Sequence, residues 1–363
     1  MPSPSNHSTT CEKATVVNVA VAVIHYKEQY LLGFRNAAQH QGNRYEFVGG
    51  KIEASENAKQ AVIREVAEET GFAIHENTIV KLGRLHHDYG DKQVSLQVYK
   101  IELTALQYEQ HKHCQYGLEK QALTWVSKAD LLAEKYDLPA ANKTMLEWLK
   151  LPANITITYP LSHFDDHSDP AVAWLQYHEE KLTVAAWVYV RTKEAGTEKL
   201  IAQLTRARPD IHVIVPHHAD SQLLGTDTHV VAHHLTHTAL MQWFNDAQEA
   251  AMPDQGISSS HPLIVSCHDA DSITAANKLA RARLQQQLPP VVGAFLSPVL
   301  ATQTHPDAVS LGWETWSALA QLSDIPIIGL GGLSPTLIDQ AISYGGVSVA
   351  GIRQFLSSQK PKA

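Results

Sequence analysis

The strongest chemical signal in this chain is a set of acidic, basic and glycine residues at fixed spacing between positions 50 and 72. The stretch GKIEASENAKQAVIREVAEETGF satisfies the pattern G-x5-E-x7-R-E-U-x-E-E-x-G-U, in which U is an apolar residue. With seven fixed identities, a chance match in a given register is on the order of one in 10^8. The fixed positions are Gly50, Glu56, Arg64, Glu65, Val66, Glu68, Glu69, Gly71 and Phe72.

This spacing predicts a helix with an acidic face. Ser55 is the expected N-cap, and Glu56 falls in the first turn, where a carboxylate suits the helix dipole. Glu65, Glu68 and Glu69 are three and four residues apart, so their carboxylates lie on one face. Because like charges this close repel, the cluster suits Mg²⁺ or Mn²⁺. A solvated acidic face is the alternative interpretation, and the complete pattern disfavours it.

The pattern resembles the Nudix box of hydrolases that cut nucleoside diphosphates linked to another group. The resemblance implies metal-assisted attack of water on a phosphorus atom, with divalent ions that clamp the phosphates. The implied metal ligands are the carboxylates of Glu65, Glu68 and Glu69 and the backbone carbonyl of Gly49. Mg²⁺ is the expected ion and Mn²⁺ the alternative. Arg64 would orient the carboxylates through bidentate hydrogen bonds.

From residue 15 to about residue 150 the chain is similar to the MutT-type 8-oxo-dGTP diphosphatases. The lead-in HQGNRYEFVGGKIE implies a substrate role for Phe47, and the end of YLLGFR implies one for Arg35, whose alternative is a surface charge. The segment DLPAANKTML resembles one whose asparagine reads the purine edge, here Asn142, and a helix N-cap is the equal alternative. Glu119 corresponds to a loop glutamate that acts on water or metal.

Composition limits the remaining classes of function. The chain has 363 residues, enough for two domains, and its 44% hydrophobic and 18% charged residues are ordinary for a globular protein. A net charge of -8 argues against binding to duplex nucleic acid. Three scattered cysteines disfavour a disulfide scaffold, and no signal peptide or run of about 18 apolar residues is present. We therefore expect a cytoplasmic protein that does not bind membranes.

The rhythm of apolar segments predicts an α/β protein with two domains. In the first, strand-like segments surround the acidic helix, which predicts an α/β/α sandwich with a mixed sheet. In the second, eight short apolar runs alternate with helix-like stretches, which is typical of a (β/α)8 TIM barrel. The predicted bounds are a disordered N-terminus at residues 1–13, a Nudix domain at 14–152 and a barrel at 153–363.

The second half resembles thiamine phosphate synthase, in which a thiazole phosphate joins a pyrimidine pyrophosphate. The segments that carry the resemblance are VRTK, VSCHD, SPVLATQTHPD, LGGL and GVSVAGI. They imply a phosphate site, of the kind that barrels form after their last strands. The implied phosphate-binding residues are Lys193, Ser266, Thr302, Thr304, Gly332 and Gly351.

The departures from that family concern its metal site. The Asn-Asp pair that binds pyrophosphate and Mg²⁺ reads here as Pro216-His217-His218, a second acidic position falls near His234, and a glutamine is replaced by Tyr189. Because Mg²⁺ prefers oxygen ligands, these changes put the synthase reaction in doubt and leave phosphate binding intact.

The histidines of the second half allow a Zn²⁺ site as an alternative. No HExxH or comparable spacing is present, so we expect these side chains to be partly exposed polar residues. The candidates are His217, His218, His229, His233, His234 and His237.

The expected function is Mg²⁺-dependent conversion of 8-oxo-dGTP to 8-oxo-dGMP and pyrophosphate, which cleans the nucleotide pool and supports DNA repair and replication fidelity. The expected ligands are this nucleotide or a related one, and a small phosphate compound in the barrel. The first alternative is a bifunctional hydrolase and thiamine phosphate synthase. The second is a barrel that serves only as a binding or scaffold module.

Overall fold

A computed structural model describes residues 16–37, 42–88, 90, 93–191, 197–218, 229–249, 257–302 and 309–356. Within these ranges the chain forms a mixed sheet followed by a closed parallel barrel. The predicted disordered N-terminus lies outside the described residues. None of the helices within the described ranges combines the length and the apolar character needed to cross a membrane.

The first domain contains a seven-stranded mixed sheet. Its strands are β1 (Val17–Tyr26), β2 (Gln29–Phe34), β3 (Tyr45–Glu46), β4 (Val48–Lys51), β5 (Ile79–Asp88), β6 (Gln93–Glu102) and β7 (Ala122–Ser127). β1 lies at the centre, because it runs parallel to β6 along its length and pairs antiparallel with β4 and β2. The neighbours run in the order β3-β2-β1-β6-β5, and β7 adds to β2.

Helices cover both faces of this sheet. They are α1 (Ala58–Thr70), α2 (Ala105–His111), α3 (Lys128–Leu132) and α4 (Asn142–Leu149). Alternate residues of β1 point to opposite faces: Ala22 belongs to the core cluster that contains α1, and Val23 to the cluster that contains Met145 of α4. The predicted α/β/α sandwich is confirmed.

Helix α1 begins at a different residue from the one predicted. Asn57, not Ser55, is the N-cap: its side chain accepts a hydrogen bond from the Gln60 N–H, and the Gln60 side chain accepts one from the Asn57 N–H. This reciprocal pair satisfies two backbone donors, whereas a serine two residues earlier would satisfy one. Glu56 therefore precedes the helix, which leaves its carboxylate free to reach Arg64.

The second domain is a closed barrel of eight parallel strands, which confirms the predicted fold. The strands are β8 (Asn154–Ile157), β9 (Trp187–Tyr189), β10 (His212–Pro216), β11 (Val230–Leu235), β12 (Leu263–Cys267), β13 (Val291–Leu296), β14 (Ile327–Leu330) and β15 (Ser348–Gly351). The described helices of this domain are α5 (Pro170–Lys181), α6 (Thr197–Ala207), α7 (His237–Glu249), α8 (Ala270–Gln285), α9 (Gly312–Leu322) and α10 (Ile338–Ser343).

The two domains pack directly against each other. The Trp148 indole N–H of α4 donates to the Val291 carbonyl at 3.1 Å, and the Arg84 backbone N–H of β5 donates to the Asp324 carbonyl at 2.9 Å. One buried apolar cluster contains residues of both domains. Val291 begins β13 and Asp324 precedes β14, so the first domain contacts the barrel at the amino ends of its strands. The boundary predicted between residues 152 and 153 lies between α4 and β8.

Candidate functional site

The acidic site forms where α1 meets the glycine pair of β4. A Cβ atom on Gly50 would lie 2.2–2.4 Å from the carboxylate atoms of Glu65. A Cβ atom on Gly49, whose φ is +150°, would lie 2.2 Å from the Ala20 carbonyl oxygen of β1. Position 49 therefore requires glycine, because any side chain would meet the β1 backbone, whereas a side chain on Gly50 would displace the Glu65 carboxylate.

Arg64 donates hydrogen bonds to three carboxylates of the acidic site. Its Nε and Nη2 atoms donate to the two carboxylate oxygens of Glu56, at 3.2 and 2.6 Å. Its Nη1 atom donates to Glu65 and to Glu68, both at 2.9 Å, and Nη2 also reaches the Lys51 carbonyl at 3.1 Å. The hydrogen bonds from Arg64 lower the pKa of Glu56. One guanidinium thus fixes three carboxylates, which matches its planar arrangement of donors.

Glu69 lies deeper, under β4. Its carboxylate accepts a hydrogen bond from the Gly49 N–H at 3.1 Å and one from the Gln121 side chain at 3.1 Å. Burial raises the pKa of Glu69 to about 7, and the nearby carboxylates of Glu46 and Glu65 add to the rise. The group therefore exchanges its proton near neutral pH, and a bound cation would favour its charged form.

Glu119 is held beside this carboxylate cluster. The Leu118 N–H donates to the Glu69 carbonyl at 2.7 Å, which ties the loop to the end of α1. Burial raises the pKa of Glu65, and the charge of Glu119 contributes to that rise. The two carboxylates therefore interact, although Glu119 itself is exposed.

The predicted metal ligands surround one turn of α1, but they do not converge as the spacing predicted. Within the described ranges no three His, Cys, Asp or Glu side chains form a group that could hold a metal ion. Arg64 engages Glu65 and Glu68, while Glu69 bonds the Gly49 N–H. The donor chemistry still fits Mg²⁺ or Mn²⁺, because these ions prefer carboxylate oxygens. A bound ion would also lower the raised pKa values of Glu65 and Glu69 by favouring their charged forms.

The predicted substrate residues have different surroundings. Arg35 forms an ion pair with Glu46 and is not a solitary surface charge. Phe47 is only 3% exposed and packs in the apolar core, so its ring supports the strands and does not face solvent. Asn142 is the first residue of α4 and is buried, while Ala141 holds the N-cap position and no side chain caps the helix. The N-cap alternative for Asn142 is therefore wrong.

Two residues of the site, Glu46 and Gln121, were not predicted from the sequence. Glu46 acts on Glu69 through its charge, and a carboxylate beside buried Phe47 was a signal that could have identified it. Gln121 bonds the Glu69 side chain from 52 residues away along the chain. No local pattern marks Gln121, because its position depends on the pairing of β7 with β2.

The second candidate site is a cavity of about 900 Å³ in the barrel. Its lining residues include Ser297, Gly331 and Gly351, which lie at the carboxyl ends of the strands, where barrels bind their ligands. A Cβ atom on Gly332, whose φ is +68°, would lie 2.6 Å from the Ala301 carbonyl oxygen. The cavity wall includes four predicted residues, Ser266, Thr302, Gly332 and Gly351. The other two, Lys193 and Thr304, lie outside the described residues.

A hydrogen-bonded chain crosses the wall of this cavity. His234 Nδ1 lies 2.8 Å from the Tyr189 hydroxyl, and its Nε2 lies 2.8 Å from Ser266 Oγ. Burial lowers the pKa of His234 to about 3, and the positive charge of Arg191 contributes. The imidazole is therefore neutral at physiological pH.

The expectation that the histidines are partly exposed is wrong for two of them. His233 and His234 are only 2% and 5% exposed, because they lie on a barrel strand that is covered on both faces. His234 faces the cavity, whereas the His233 ring stacks on His261 with 5.0 Å between centroids. His217 and His229 are half-buried, and His218 is exposed.

Comparison with known proteins accounts for the acidic site. A family described as NUDIX domain matches residues 19–148. The chain is 31% identical over 135 residues to 8-oxo-dGTP diphosphatase of Escherichia coli (strain K12), which covers 37% of this chain and 96% of that protein. The chain belongs to the Nudix family. This Nudix domain is also 32% identical over 132 residues to CTP pyrophosphohydrolase of the same organism, across 36% of this chain and 90% of that protein.

The barrel matches a second family, described as Thiamine monophosphate synthase, at residues 257–355. Over 61 residues the chain is 34% identical to Putative thiamine-phosphate synthase 2 of Aquifex aeolicus (strain VF5), which covers 17% of this chain and 33% of that protein. The C-terminal domain is therefore thiamine phosphate synthase-like. The matched segment contains Ser266 and Gly332, whereas Tyr189, Arg191 and His234 lie outside it.

Proposed function

We propose that the Nudix domain hydrolyses 8-oxo-dGTP to 8-oxo-dGMP and pyrophosphate with Mg²⁺, and that Mn²⁺ can substitute. The observation that carries the proposal is the set of carboxylates that Arg64 gathers against the glycine pair of β4. Such an activity removes an oxidised nucleotide from the pool, which supports DNA repair and replication fidelity. The identities to an 8-oxo-dGTP diphosphatase and to a CTP pyrophosphohydrolase are similar, so identity alone does not select the base.

In this proposal the ions would be held by Glu65, Glu68, Glu69 and the Gly49 carbonyl. When bound, divalent ions neutralise phosphate charge and activate water. Arg64 keeps the carboxylates in place, since it already bonds Glu65 and Glu68.

Two groups are positioned to handle protons. Glu69, with a pKa of about 7, releases its proton when a cation binds. Glu119 is exposed and interacts with Glu65, so it can accept a proton from the attacking water.

For the base, the proposal assigns Asn142 and the pair formed by Arg35 and Glu46. The amide of Asn142 offers both a donor and an acceptor, which suits the edge of an oxidised purine. Glu46 holds Arg35 through their ion pair, and Phe47 anchors this segment in the core.

The test is the turnover of a nucleotide panel by the full-length protein with Mg²⁺. The panel contains 8-oxo-dGTP, dGTP, CTP and dCTP, and Glu68→Gln serves as the inactive control. We expect kcat/KM for 8-oxo-dGTP to be at least about 100-fold higher than for dGTP, because a site that pairs with the oxidised edge leaves polar groups unpaired against the normal base. Equal turnover of 8-oxo-dGTP and dGTP would contradict a role in removing oxidised nucleotides. A preference for CTP would assign the domain to a pyrimidine substrate.

We infer a separate role for the barrel, as a module that binds a small phosphate compound or serves as a scaffold. The specific observation is the cavity that Ser266, Thr302, Gly332 and Gly351 line. The rival is an active synthase, which would make the chain bifunctional in thiamine metabolism. Expression of the full-length Glu68→Gln variant in a thiamine-requiring strain separates these, because rescue of growth would show synthase activity independent of the Nudix site.

A further inference from the structure

The chain formed by Tyr189, His234 and Ser266 has two possible arrangements of its protons. A neutral imidazole carries one N–H, so His234 donates through either Nε2 or Nδ1. If it donates through Nδ1 to Tyr189, then Ser266 must donate back to Nε2, and its hydroxyl proton is turned away from the cavity. If it donates through Nε2 to Ser266, then Tyr189 donates to Nδ1, and the Ser266 proton is free to point into the cavity.

The charges around the cavity favour the second arrangement once an anion is present. Arg191 lines the cavity and acts through its charge on both Tyr189 and His234. Its backbone N–H is anchored on Thr158 Oγ1 at 2.9 Å. An anion attracted by this guanidinium accepts a hydrogen bond from the Ser266 hydroxyl, and each hydrogen bond of the chain then points towards the anion.

The remaining ionisable groups of the wall agree with an anionic ligand. The lining of the cavity also includes Arg353, His237 and His268. Among the lining residues that the structure describes, none is Asp or Glu. A divalent cation beside Arg191 would meet repulsion and no carboxylate among the described lining residues, whereas a phosphate group would meet hydrogen-bond donors and positive charge.

We propose that Tyr189 and His234 are positioning residues that make Ser266 a hydrogen-bond donor to a phosphate monoester, which the barrel binds without a divalent metal ion. The proposal rests on the phosphate-binding role inferred above for the barrel. Ser266 comes from the part of the barrel that matches the synthase family, and the two positioning residues come from outside it.

The test is calorimetric titration of the full-length protein with inorganic phosphate, once in EDTA and once in excess Mg²⁺. Ser266→Ala defines the component of binding that belongs to the barrel. We expect that component to have the same affinity in both conditions, within about twofold. A melting temperature for each variant confirms that it is folded.

Three substitutions separate positioning from simple packing. His234→Asp supplies only acceptors, so it turns the Ser266 proton away and repels phosphate, and we expect affinity in EDTA to fall by at least about 10-fold. His234→Gln can accept from Tyr189 and donate to Ser266, so its affinity should stay within about threefold of the wild type. Tyr189→Phe removes a single hydroxyl and should weaken binding about three- to tenfold.

The outcomes that contradict the proposal are distinct from failure of the barrel's phosphate role. Binding by Ser266 that needs Mg²⁺ would overturn the metal-free site while leaving phosphate binding in place. Equal weakening by His234→Gln and His234→Asp would overturn the positioning role of His234, since a purely structural histidine would tolerate neither. Absence of any phosphate binding that depends on Ser266, in both conditions, would reject the phosphate role and the positioning role together.

Discussion

The site in the Nudix domain and the cavity in the barrel carry opposite charge. The polar side chains of the Nudix site are mostly carboxylates, and burial raises the pKa of Glu65 and Glu69. The barrel cavity is lined by arginines, histidines and hydroxyls, and burial together with Arg191 lowers the pKa of His234. In each site the neighbouring groups disfavour the charge that the titrating group would carry.

This difference in charge indicates which kind of ligand each site would bind. Carboxylates with raised pKa values are stabilised by a cation, whereas a cavity lined by Arg191 and Arg353, with no Asp or Glu among its described lining residues, favours an anion. The sites are also separate in space. The Nudix domain contacts the barrel near Val291, at the amino end of β13, whereas the cavity lies at the carboxyl ends. We therefore expect changes in one site to leave the other unaffected.

The largest effect that would test this separation comes from Glu68→Gln. We expect kcat for nucleotide hydrolysis to fall by about 1000-fold, because the variant loses one of the charged ligands proposed for the ions. The Glu68 side chain is 53% exposed, so the melting temperature should hardly change. Phosphate binding by the barrel should be unaffected. Glu76→Gln is the matched control, since that carboxylate is fully outside the site and should retain wild-type turnover.

A substitution in β4 sharpens the geometric part of the comparison. Gly50→Ala places a methyl group against the Glu65 carboxylate, so we expect kcat to fall about 100-fold as that carboxylate is displaced. Gly33→Ala in β2 is the control, because its Cβ atom would meet its nearest neighbour at 3.9 Å. Steady-state kinetics of both variants is the measurement. Equal activity of the two would mean that Glu65 need not lie against the strand.

The free energy of unfolding of the metal-free protein measures how much the buried Glu69 carboxylate destabilises the fold. Glu69 has a folded-state pKa of about 7 against an ordinary value of 4.5, so its ionisation destabilises the fold as pH rises from about 4.5 to about 7. Glu69→Gln should therefore increase the free energy of unfolding by about 1–3 kcal/mol at pH 8 in EDTA, with little gain at pH 4. Denaturant melts at the two pH values measure this, and an equal effect at both would contradict the raised pKa.

The pH dependence of turnover gives a smaller effect. With saturating Mg²⁺, we expect turnover to rise about 10-fold between pH 6 and pH 9, because the attacking water must lose a proton. Zn²⁺ should replace Mg²⁺ poorly, since it prefers nitrogen and sulfur ligands in tetrahedral sites. A flat profile, or turnover in EDTA, would show that the carboxylate mechanism is wrong.

The smallest effect concerns the contact between the domains. Trp148→Phe removes the hydrogen bond to the Val291 carbonyl, and we expect a loss of about 1 kcal/mol in the free energy of unfolding. Trp125→Phe is the control, because the buried Trp125 indole nitrogen has no partner among the described residues and its removal should cost less. Changes in both nucleotide turnover and phosphate affinity in Trp148→Phe would show that the two sites communicate.

The sequence by itself determined both folds and the kind of chemistry in the Nudix domain. Glu65, Glu68 and Glu69 share a helix face because three- and four-residue spacing has a local geometric consequence. The eight apolar runs predicted the barrel for a similar reason, since each strand must be buried on both faces. The predicted start of α1 at Ser55 was wrong, because Asn57 is also a good cap and forms the reciprocal bond with Gln60.

Only the tertiary structure decided which polar groups meet. Gln121 reaches Glu69 across 52 residues, and His234 joins Tyr189 and Ser266 across 45 and 32 residues. These contacts depend on strand pairing in the sheet and on closure of the barrel. Burial in the barrel, together with the charge of Arg191, keeps His234 neutral. Periodicity describes neighbours along one element, whereas the energy of a buried polar group depends on partners that other elements bring to it.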